Sequence, residues 1–391
     1  MLVRLPLCPA GTQACSQESA PLVKLPPGPV GPEAATEVLI VADPGICSGA
    51  CLLAPESILG PPGEAPMSLG YTSQIERALK LRERLLADDS LDAVRIINGD
   101  ADGIPGLVVD KLGPVLIAQL HEERLKIDPE HARRLVEDVQ RRLGTLAVYR
   151  KYFVRQRGRV PREIVEAHKD PRPWIGEVVE AELVVLEYGL RYLVRPYDGF
   201  AFGLFLDHRD NRRRIGELSA GRRVLNAFAY TCGFSVAAAA GGAAHVASVD
   251  SYKRYLEWGK RNLEFNGLDP SPHRFYCSDI FEFYRRAQRQ GLRYDLVVLD
   301  PPTFSRPKGS GRVFVLAEHL QPLCAGAVDL LDPGGLLFLA TNDRGIGRGR
   351  LEEAASRAAA DRRCTVVQRP SLPIDFAGDP DYSKTIIVRI D

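Results

Sequence analysis

The chain has 391 residues, which is long enough for two or three domains. Its 45% apolar and 26% charged content is that of an ordinary soluble globular protein, and its net charge of +1 requires any nucleic-acid surface to be local. Arg4 and Pro6 interrupt the N-terminus before a signal peptide could form, and no apolar run approaches the roughly 18 residues of a membrane span. The eight cysteines lack paired CxxC spacing. We therefore expect a reduced, cytoplasmic protein without a metal site.

The chain divides by composition into three parts. Residues 1–70 hold 12 of the 29 prolines and 8 glycines, which is typical of a low-complexity arm. A capping box, Ser73 to Glu76, predicts the start of the first helix, and short strands surround a second helix at 129–143. We expect residues 71–195 to form an accessory α+β domain that binds RNA, followed by a larger domain at 196–391.

The RNA prediction depends on a basic segment. Residues 131–162 contain ten Arg or Lys and two acidic residues, with aromatic residues between them. Basic side chains neutralise phosphates and aromatic rings stack on bases, so this mixture suits RNA, although a solvated charged surface is the alternative. The residues predicted to contact RNA are Arg150, Lys151, Arg155 and Arg157.

From residue 199 onward, strand and helix patterns alternate. Strands are predicted at 223–228, 245–250, 273–279, 294–300 and 335–341, with helical patterns between them, which indicates a doubly wound parallel sheet. Two further strands, 364–369 and 385–390, have no helix between them and predict an antiparallel finish. The expected fold class is therefore α/β, with a Rossmann-like seven-stranded sheet whose last strand is antiparallel.

Polar residues lie at the ends of four of these strands: Asn226, Asp250, Asp279 and Asp300. In an open α/β sheet, ligands bind at the carboxyl edge, where a carboxylate after the second strand can accept from both ribose hydroxyls. The turn at 228–233 has one glycine and no GxGxxG motif, so a dinucleotide is disfavoured and a nucleoside with an amino-acid tail fits better. Each aspartate could instead be a helix N-cap.

The stretch Asp300-Pro301-Pro302-Thr303-Phe304 follows a buried apolar strand. Two prolines fix the backbone and remove two donors, so that the carbonyls act as acceptors. An acid, rigid carbonyls and an aromatic ring can hold a flat polar ring such as a nucleobase by its edge and its face. The alternative is a proline-stiffened turn with a capping aspartate.

Five stretches share the motifs of one protein family, at residues 203–209, 224–236, 248–250, 256–262 and 300–305. They resemble class I S-adenosylmethionine-dependent methyltransferases, specifically the bacterial large-subunit ribosomal RNA base methyltransferases. The resemblance covers roughly 71–391, and the usual N-terminal RNA-binding domain of these enzymes is not recognisable in 1–70. It implies S-adenosyl-L-methionine as cofactor and ribosomal RNA as partner, with neither metal nor membrane, and it leaves a homodimer open.

The resemblance also implies residue roles. Asp207 and Arg209 would contact the methionine end of the cofactor, and Asp250 and Asp279 would hold its ribose and adenine amine. Asn226, Phe228 and Tyr230 would line the pocket. The residues expected at the reacting methyl and the base are Asp300, Pro301, Asn342, Pro302 and Phe304.

Two branches of the family differ in the base they methylate. The cytosine-C5 branch needs a thiolate, and its cysteine follows the fifth strand, where this chain has Thr341-Asn342-Asp343-Arg344. This segment instead resembles the guanine-N7 branch, in which the base needs positioning more than activation. Guanine N7 is therefore the expected target. Cytosine C5, an exocyclic amine and a catalytically silent RNA-binding protein stay as alternatives, and a nicotinamide-dependent dehydrogenase is disfavoured by the first turn.

Overall fold

The computed structural model describes residues 67–154, 161–306 and 313–391. The predicted arm falls almost wholly outside these residues, as do Arg155 and Arg157. Helix α1 spans Met67–Leu86, so the predicted start at the Ser73 capping box is wrong. The helix extends back to Met67, because no proline lies between Met67 and Ser73 and the single glycine there weakens a helix without ending it.

A five-stranded sheet follows α1. Strands β1 to β3 pair antiparallel, β3 and β4 pair parallel, and β5 closes the sheet as a short antiparallel edge strand. Strand β4 occupies part of the basic segment, for which the sequence predicts no strand. The elements are β1 (Ala93–Asn98), β2 (Leu107–Leu112), β3 (Val115–His121), α2 (Pro129–Leu143), β4 (Ala147–Phe153), α3 (Arg162–Ala167) and β5 (Ile175–Gly176).

A hairpin connects this sheet to a second, larger unit of alternating strands and helices. The elements are β6 (Leu183–Glu187), β7 (Leu190–Val194), α4 (Arg209–Glu217), β8 (Arg223–Ala227), α5 (Gly233–Ala240), β9 (His245–Asp250), α6 (Lys253–Phe265), β10 (Arg274–Cys277), α7 (Ile280–Arg289), β11 (Tyr294–Leu299), β12 (Phe304–Ser305), β13 (Phe314–Val315), α8 (Leu316–Val328), β14 (Leu331–Thr341), α9 (Arg348–Ala359), β15 (Cys364–Gln368) and β16 (Lys384–Ile390).

The larger sheet has seven strands in the order β10-β9-β8-β11-β14-β16-β15. Strands β8 to β11 and β14 pair parallel, whereas β16 pairs antiparallel with both β14 and β15. The predicted fold class is confirmed, including the antiparallel last strand. The strand order reverses direction between β8 and β11, and ligands of such sheets bind in the crevice at that point.

Apolar side chains of the two sheets pack together in one cluster. One cluster of buried apolar side chains joins β1 to β4 of the five-stranded sheet to the β6–β7 hairpin and to Val236 and Leu263 of the larger unit. Met67–Asp391 accordingly form one compact unit, and a domain division near residue 195 stays a prediction. None of the helices in the described ranges is long and apolar enough to cross a membrane.

A buried carboxylate reinforces this junction. Asp375, in the loop between β15 and β16, is inaccessible to solvent. Its Oδ1 accepts from Arg209 Nη2 at 2.6 Å, and its Oδ2 accepts from Arg209 Nη1 at 3.0 Å and from the Arg95 backbone N–H at 2.9 Å. Arg82 of α1 donates to the Asp375 carbonyl at 2.9 Å. The loop is therefore tied both to the five-stranded sheet and to α4.

Candidate functional site

A cavity of about 640 Å³ opens at the carboxyl ends of β8, β9 and β11. Its volume lies within the range of roughly 300–1,000 Å³ that is usual for small-molecule sites. Most of the side chains predicted for the cofactor and the base line it: Asp207, Phe228, Tyr230, Asp250, Asp279, Asp300, Pro301, Pro302, Phe304 and Asn342. The parallel topology brings these residues together, because consecutive β-to-α turns meet at one edge of the sheet.

The turn after β8 has a strained backbone. Phe228, Tyr230 and Cys232 all have left-handed conformations, with φ of 58°, 49° and 63°. Each such non-glycine residue costs on the order of 1–2 kcal/mol, and strain of this kind concentrates at functional sites. The Tyr230 N–H donates to Asp250 Oδ2 at 2.9 Å, which helps to hold the turn against the end of β9. The strain turns Phe228 and Tyr230 toward the cavity.

Asp250 and Asp279 are held by backbone donors. Asp250 Oδ1 accepts from the Tyr252 N–H at 2.9 Å, in addition to the bond from Tyr230. Burial raises the pKa of Asp250, although its backbone hydrogen bonds oppose the rise. Asp279 is the N-cap of α7 and accepts from the Phe281 N–H at 3.0 Å. The capping alternative is thus correct for Asp279, yet this residue also lines the cavity.

His208 lies between two acids of the site. Its Nε2 is 3.3 Å from Asp300 Oδ2 and 3.6 Å from Asp207 Oδ2. Burial by itself opposes protonation, but the charges of Asp300 and Asp207 outweigh it and raise the pKa of His208 to about 9. Its Nδ1 is 3.0 Å from the side-chain amide of Asn211. Exchange of the oxygen and nitrogen of that amide would let it accept from a protonated Nδ1, so the surroundings satisfy an imidazolium.

The opposite rim is formed by the two prolines and the loop after β14. Thr303 Oγ1 donates to Asn342 Oδ1 at 3.3 Å, and the Thr303 carbonyl accepts from the Leu316 N–H at 3.0 Å. Phe304 is 56% exposed and begins the short β12–β13 hairpin. An exposed aromatic ring beside an amide and proline carbonyls is suited to a planar base.

Two predicted cofactor residues do not line the cavity. Asn226 is buried within the sheet, and its Nδ2 donates to Ser235 Oγ at 2.8 Å. Arg209 is 1% exposed and is directed to Asp375 instead. Arg209 follows Asp207 by two residues along a helical backbone, which rotates its side chain by roughly 200°, so the two side chains point to different surroundings. The structure places both side chains in support of the site rather than in it.

Several lining residues were missed by sequence reasoning. Phe205, Tyr252 and Tyr255 form an aromatic wall with Tyr230, with ring centroids 5.4 Å apart for Phe205–Tyr230 and 4.6 Å apart for Tyr230–Tyr255. Arg212 also lines the cavity while its guanidinium binds buried Glu187. The signal available in the sequence was helical spacing, since Arg212 follows His208 by four residues.

The two described residues of the predicted RNA contact have different surroundings. Lys151 is 1% exposed, and its Nζ donates to the carbonyls of Gly199 and His168. Burial lowers the pKa of Lys151 to about 8, and the charge of Asp198 opposes the change. Arg150 is partly exposed on the other face of β4. Alternation along a strand explains the difference, because successive side chains point to opposite faces.

The described cysteines lie apart from the cavity lining. Cys232 and Cys324 are buried, and burial raises the pKa of each thiol to about 12. Cys232 packs against Gly259, where a Cβ would collide with its sulfur. Cys277 and Cys364 are more accessible but do not line the cavity either. Within the described ranges, no cluster of three or more His, Cys, Asp or Glu residues is arranged to hold a metal ion.

Comparison with known proteins gives a consistent result. The model of a family described as S-adenosylmethionine-dependent methyltransferase matches residues 99–386. A "Ribosomal RNA large subunit methyltransferase I" of Erwinia tasmaniensis is 34% identical over 276 residues, which cover 68% of this chain and 65% of that protein. A "Ribosomal RNA large subunit methyltransferase" of Deinococcus radiodurans is 33% identical over 82% of this chain and 79% of its own length.

A solved structure is similar in fold as well. A protein crystallised in complex with SAH has a TM-score of 0.73 and 25% sequence identity, covering 84% of this chain and 83% of its own. The likeness extends over both sheets, because an alignment of this coverage cannot be confined to either one.

Proposed function

We propose, from the premise that this chain belongs to the family of S-adenosylmethionine-dependent methyltransferases, that it methylates a base of large-subunit ribosomal RNA. The cofactor of this family is S-adenosylmethionine. Support for the RNA substrate comes from the Erwinia tasmaniensis and Deinococcus radiodurans relatives, whose names give that substrate for those proteins. Such a substrate would place the protein in the cytoplasm, where ribosomes assemble.

The residues of the cavity fit this cofactor. Each oxygen of Asp250 accepts one backbone N–H, and a carboxylate has about four acceptor sites, so both oxygens can still accept from ribose hydroxyls. Asp279 has acceptor capacity left for an amine after capping α7, and the aromatic wall offers ring faces. When bound, S-adenosylmethionine supplies an electrophilic methyl group. Asp207, Asp250, Asp279 and Asp300 surround the space with acceptors, as a cationic molecule requires.

We further propose guanine N7 as the target atom. The single observation that carries this choice is that none of the described cysteines lines the cavity, since carbon 5 of cytosine requires a thiolate at the reacting centre. Guanine N7 has its own lone pair and gains a positive charge on methylation. Asp300, whose Oδ1 has no hydrogen bond within the described residues, would stabilise that charge. Asn342, Pro302 and Phe304 would position the base.

The test is transfer of labelled methyl to ribosomal RNA under single turnover. We expect the wild type to label guanine, and the variants C232S, C277S, C324S and C364S each to transfer methyl at a rate close to that of the wild type. Digestion of the product and mass analysis of the nucleosides identify the base. C232S can lose cofactor affinity because Cys232 belongs to the first turn, so each variant is compared at saturating cofactor.

Two results would overturn parts of the proposal. If one cysteine variant binds cofactor but is inactive, or if RNA containing 5-fluorocytosine traps the protein covalently, the cytosine mechanism replaces the guanine one. Absence of transfer to any ribosomal RNA, with cofactor bound, would favour a catalytically silent RNA-binding protein. Cofactor binding is measured separately by calorimetry.

A further inference from the structure

A second cavity, of about 250 Å³, lies at the open edge of β4. Strand β5 pairs only with Ala147 and Val148, so no strand among the described residues covers the edge beyond them. Single contacts replace a strand there: the Trp174 N–H donates to the Val148 carbonyl at 2.7 Å, and the Tyr152 N–H donates to His168 Nε2 at 2.8 Å. These contacts flank Arg150 and leave its surroundings open.

Arg150 is held by aromatic rings. Its guanidinium carbon lies 4.5 Å from the ring centroid of Tyr152 and 5.0 Å from that of Trp174. Within the described ranges it has neither an ion pair nor a side-chain hydrogen bond. A stacked guanidinium keeps its N–H groups free at the edge of the plane, in the forked geometry that matches two oxygens of a phosphate. The two rings therefore hold the Arg150 guanidinium in place, although no carboxylate among the described residues pairs with it.

Three other basic residues of the same segment are paired with acids. Arg133 pairs with Glu137, and Arg141 and Arg142 both pair with Asp138 on the surface of α2. Their contribution to any anion site is reduced by these neighbouring acids. The charge of Arg150 has no such neighbour in the described part of the chain.

Three basic residues, Arg150, Lys151 and Arg172, line the cavity together with one acid. The acid in its lining, Asp170, is bound through both oxygens by Arg172. His168 accepts from a backbone N–H at Nε2, so its Nδ1 carries the hydrogen, and this buried donor has no acceptor within the described residues. Burial and the charge of Lys151 lower the pKa of His168 to about 4, so the ring is neutral. The cavity therefore favours an anion.

We propose that this cavity binds a phosphodiester of the RNA substrate, with Arg150 as the group that contacts the phosphate. The inference rests on the proposed function, because that function supplies RNA as the partner. A volume of about 250 Å³ is below that of most small-molecule sites, so a single phosphate group of an RNA strand fits this cavity better than a whole small ligand. The contact would anchor RNA outside the catalytic cavity.

The first experiment measures RNA affinity against salt for Arg150→Gln, Arg150→Lys and a matched control, Arg84→Gln. Arg84 is exposed on α1 and has no ion pair within the described residues, so its replacement removes the same charge elsewhere. We expect Arg150→Gln to weaken binding about 5- to 10-fold and to reduce the slope of log K against log salt by about 0.7–0.9. Arg150→Lys should keep the slope but lose about threefold in affinity, because lysine lacks the planar fork.

Transfer kinetics separate this inference from the proposed function. Arg150→Gln should raise KM for RNA and leave kcat and cofactor affinity unchanged. If wild-type protein transfers no methyl to ribosomal RNA, the proposed function fails. If it does transfer methyl, but Arg150→Gln or Arg150→Lys binds RNA like the wild type, or Arg84→Gln loses as much affinity as Arg150→Gln, only the cavity assignment fails.

A second experiment distinguishes RNA from free anions. The chain has two tryptophans, so Trp258→Phe leaves Trp174 as a fluorescent reporter beside Arg150. We expect an RNA fragment to change this emission at micromolar concentration, and inorganic phosphate to do so only at concentrations at least a hundredfold higher. If inorganic phosphate changed the emission at the same concentration as the RNA fragment, the cavity would be a site for free anions, and the assignment to RNA would be wrong. No response to RNA would overturn the assignment and favour a protein partner at the β4 edge.

Discussion

The two cavities hold opposite charges by different means. At the edge of the seven-stranded sheet, Asp250 is fixed by backbone N–H groups, and Asp207 and Asp300 approach a shared histidine. Beside β4, Arg150 is held by the rings of two aromatic side chains. The first arrangement joins residues from separate β-to-α turns, whereas the second combines a neighbour on β4, Tyr152, with Trp174 from the segment before β5. Changes to the first region should therefore affect folding and chemistry, and changes to the second should affect RNA binding alone.

The largest loss of stability is expected at Asp375, which joins the five-stranded sheet to α4. Asp375→Ala removes the acceptor of Arg209 and of the Arg95 backbone, and it leaves a buried guanidinium without its partner. We expect the free energy of unfolding in urea to fall by roughly 3–5 kcal/mol. The control is Asp379→Ala, which removes a partly exposed ion pair with Arg344 and should cost about 1 kcal/mol or less. If both variants lost the same free energy of unfolding, Asp375 would not stabilise the junction between the five-stranded sheet and α4.

The second prediction concerns the chemical step. Asp300→Asn preserves shape but removes the charge that would stabilise a cationic base. We expect the single-turnover rate to fall by about 10²–10³-fold, with a much smaller loss of cofactor affinity. Asp329→Asn is the control, because it makes the same change on the exposed surface near Gln288. If rate and cofactor affinity fell together, Asp300 would be a binding residue only.

The third prediction is a pH dependence of stability. The folded pKa of His208 is about 9, above its ordinary value of 6.5, because Asp300 and Asp207 face it while Arg212 and burial oppose them. A raised pKa contributes stability that is complete below pH 6.5 and is lost as pH rises through 9. The free energy of unfolding should fall by as much as about 3 kcal/mol over that window.

His208→Gln provides the comparison for this prediction. Glutamine cannot titrate, so the decline between pH 6.5 and 9 should be smaller in the variant than in the wild type. Urea denaturation at half-unit pH intervals measures both curves. Parallel curves would show that other groups cause the dependence.

The smallest change in free energy is expected when the predicted contact with the cofactor ribose is removed. Asp250→Ala should weaken S-adenosylmethionine binding by about 1.5–3 kcal/mol, as for loss of hydrogen bonds to a charged group. The same change also frees the Tyr230 N–H, so circular dichroism is needed to verify that the variant is folded. Unchanged affinity by calorimetry in a folded variant would remove Asp250 from the cofactor site. RNA affinity at the β4 cavity should stay at the wild-type value.

Local pattern was sufficient for part of the fold and of the site. Alternating strands and helices predicted the seven-stranded sheet, and a polar residue at a strand end predicted Asp250, Asp279 and Asp300 as cavity residues. The helix start at Ser73, the missing strand β4 and the assignment of Asn226 to the cavity were failures of the same approach. In the second case, a high density of charge concealed the alternation of buried and exposed residues.

The sequence by itself determined which elements form and which acids end strands, because hydrophobic period and turn composition are local properties. Tertiary structure alone decided the partners of buried charges. Arg209 binds an acid 166 residues away in the chain, and His208 meets Asp300 across the sheet edge. These outcomes depend on packing against distant elements, which no local pattern specifies.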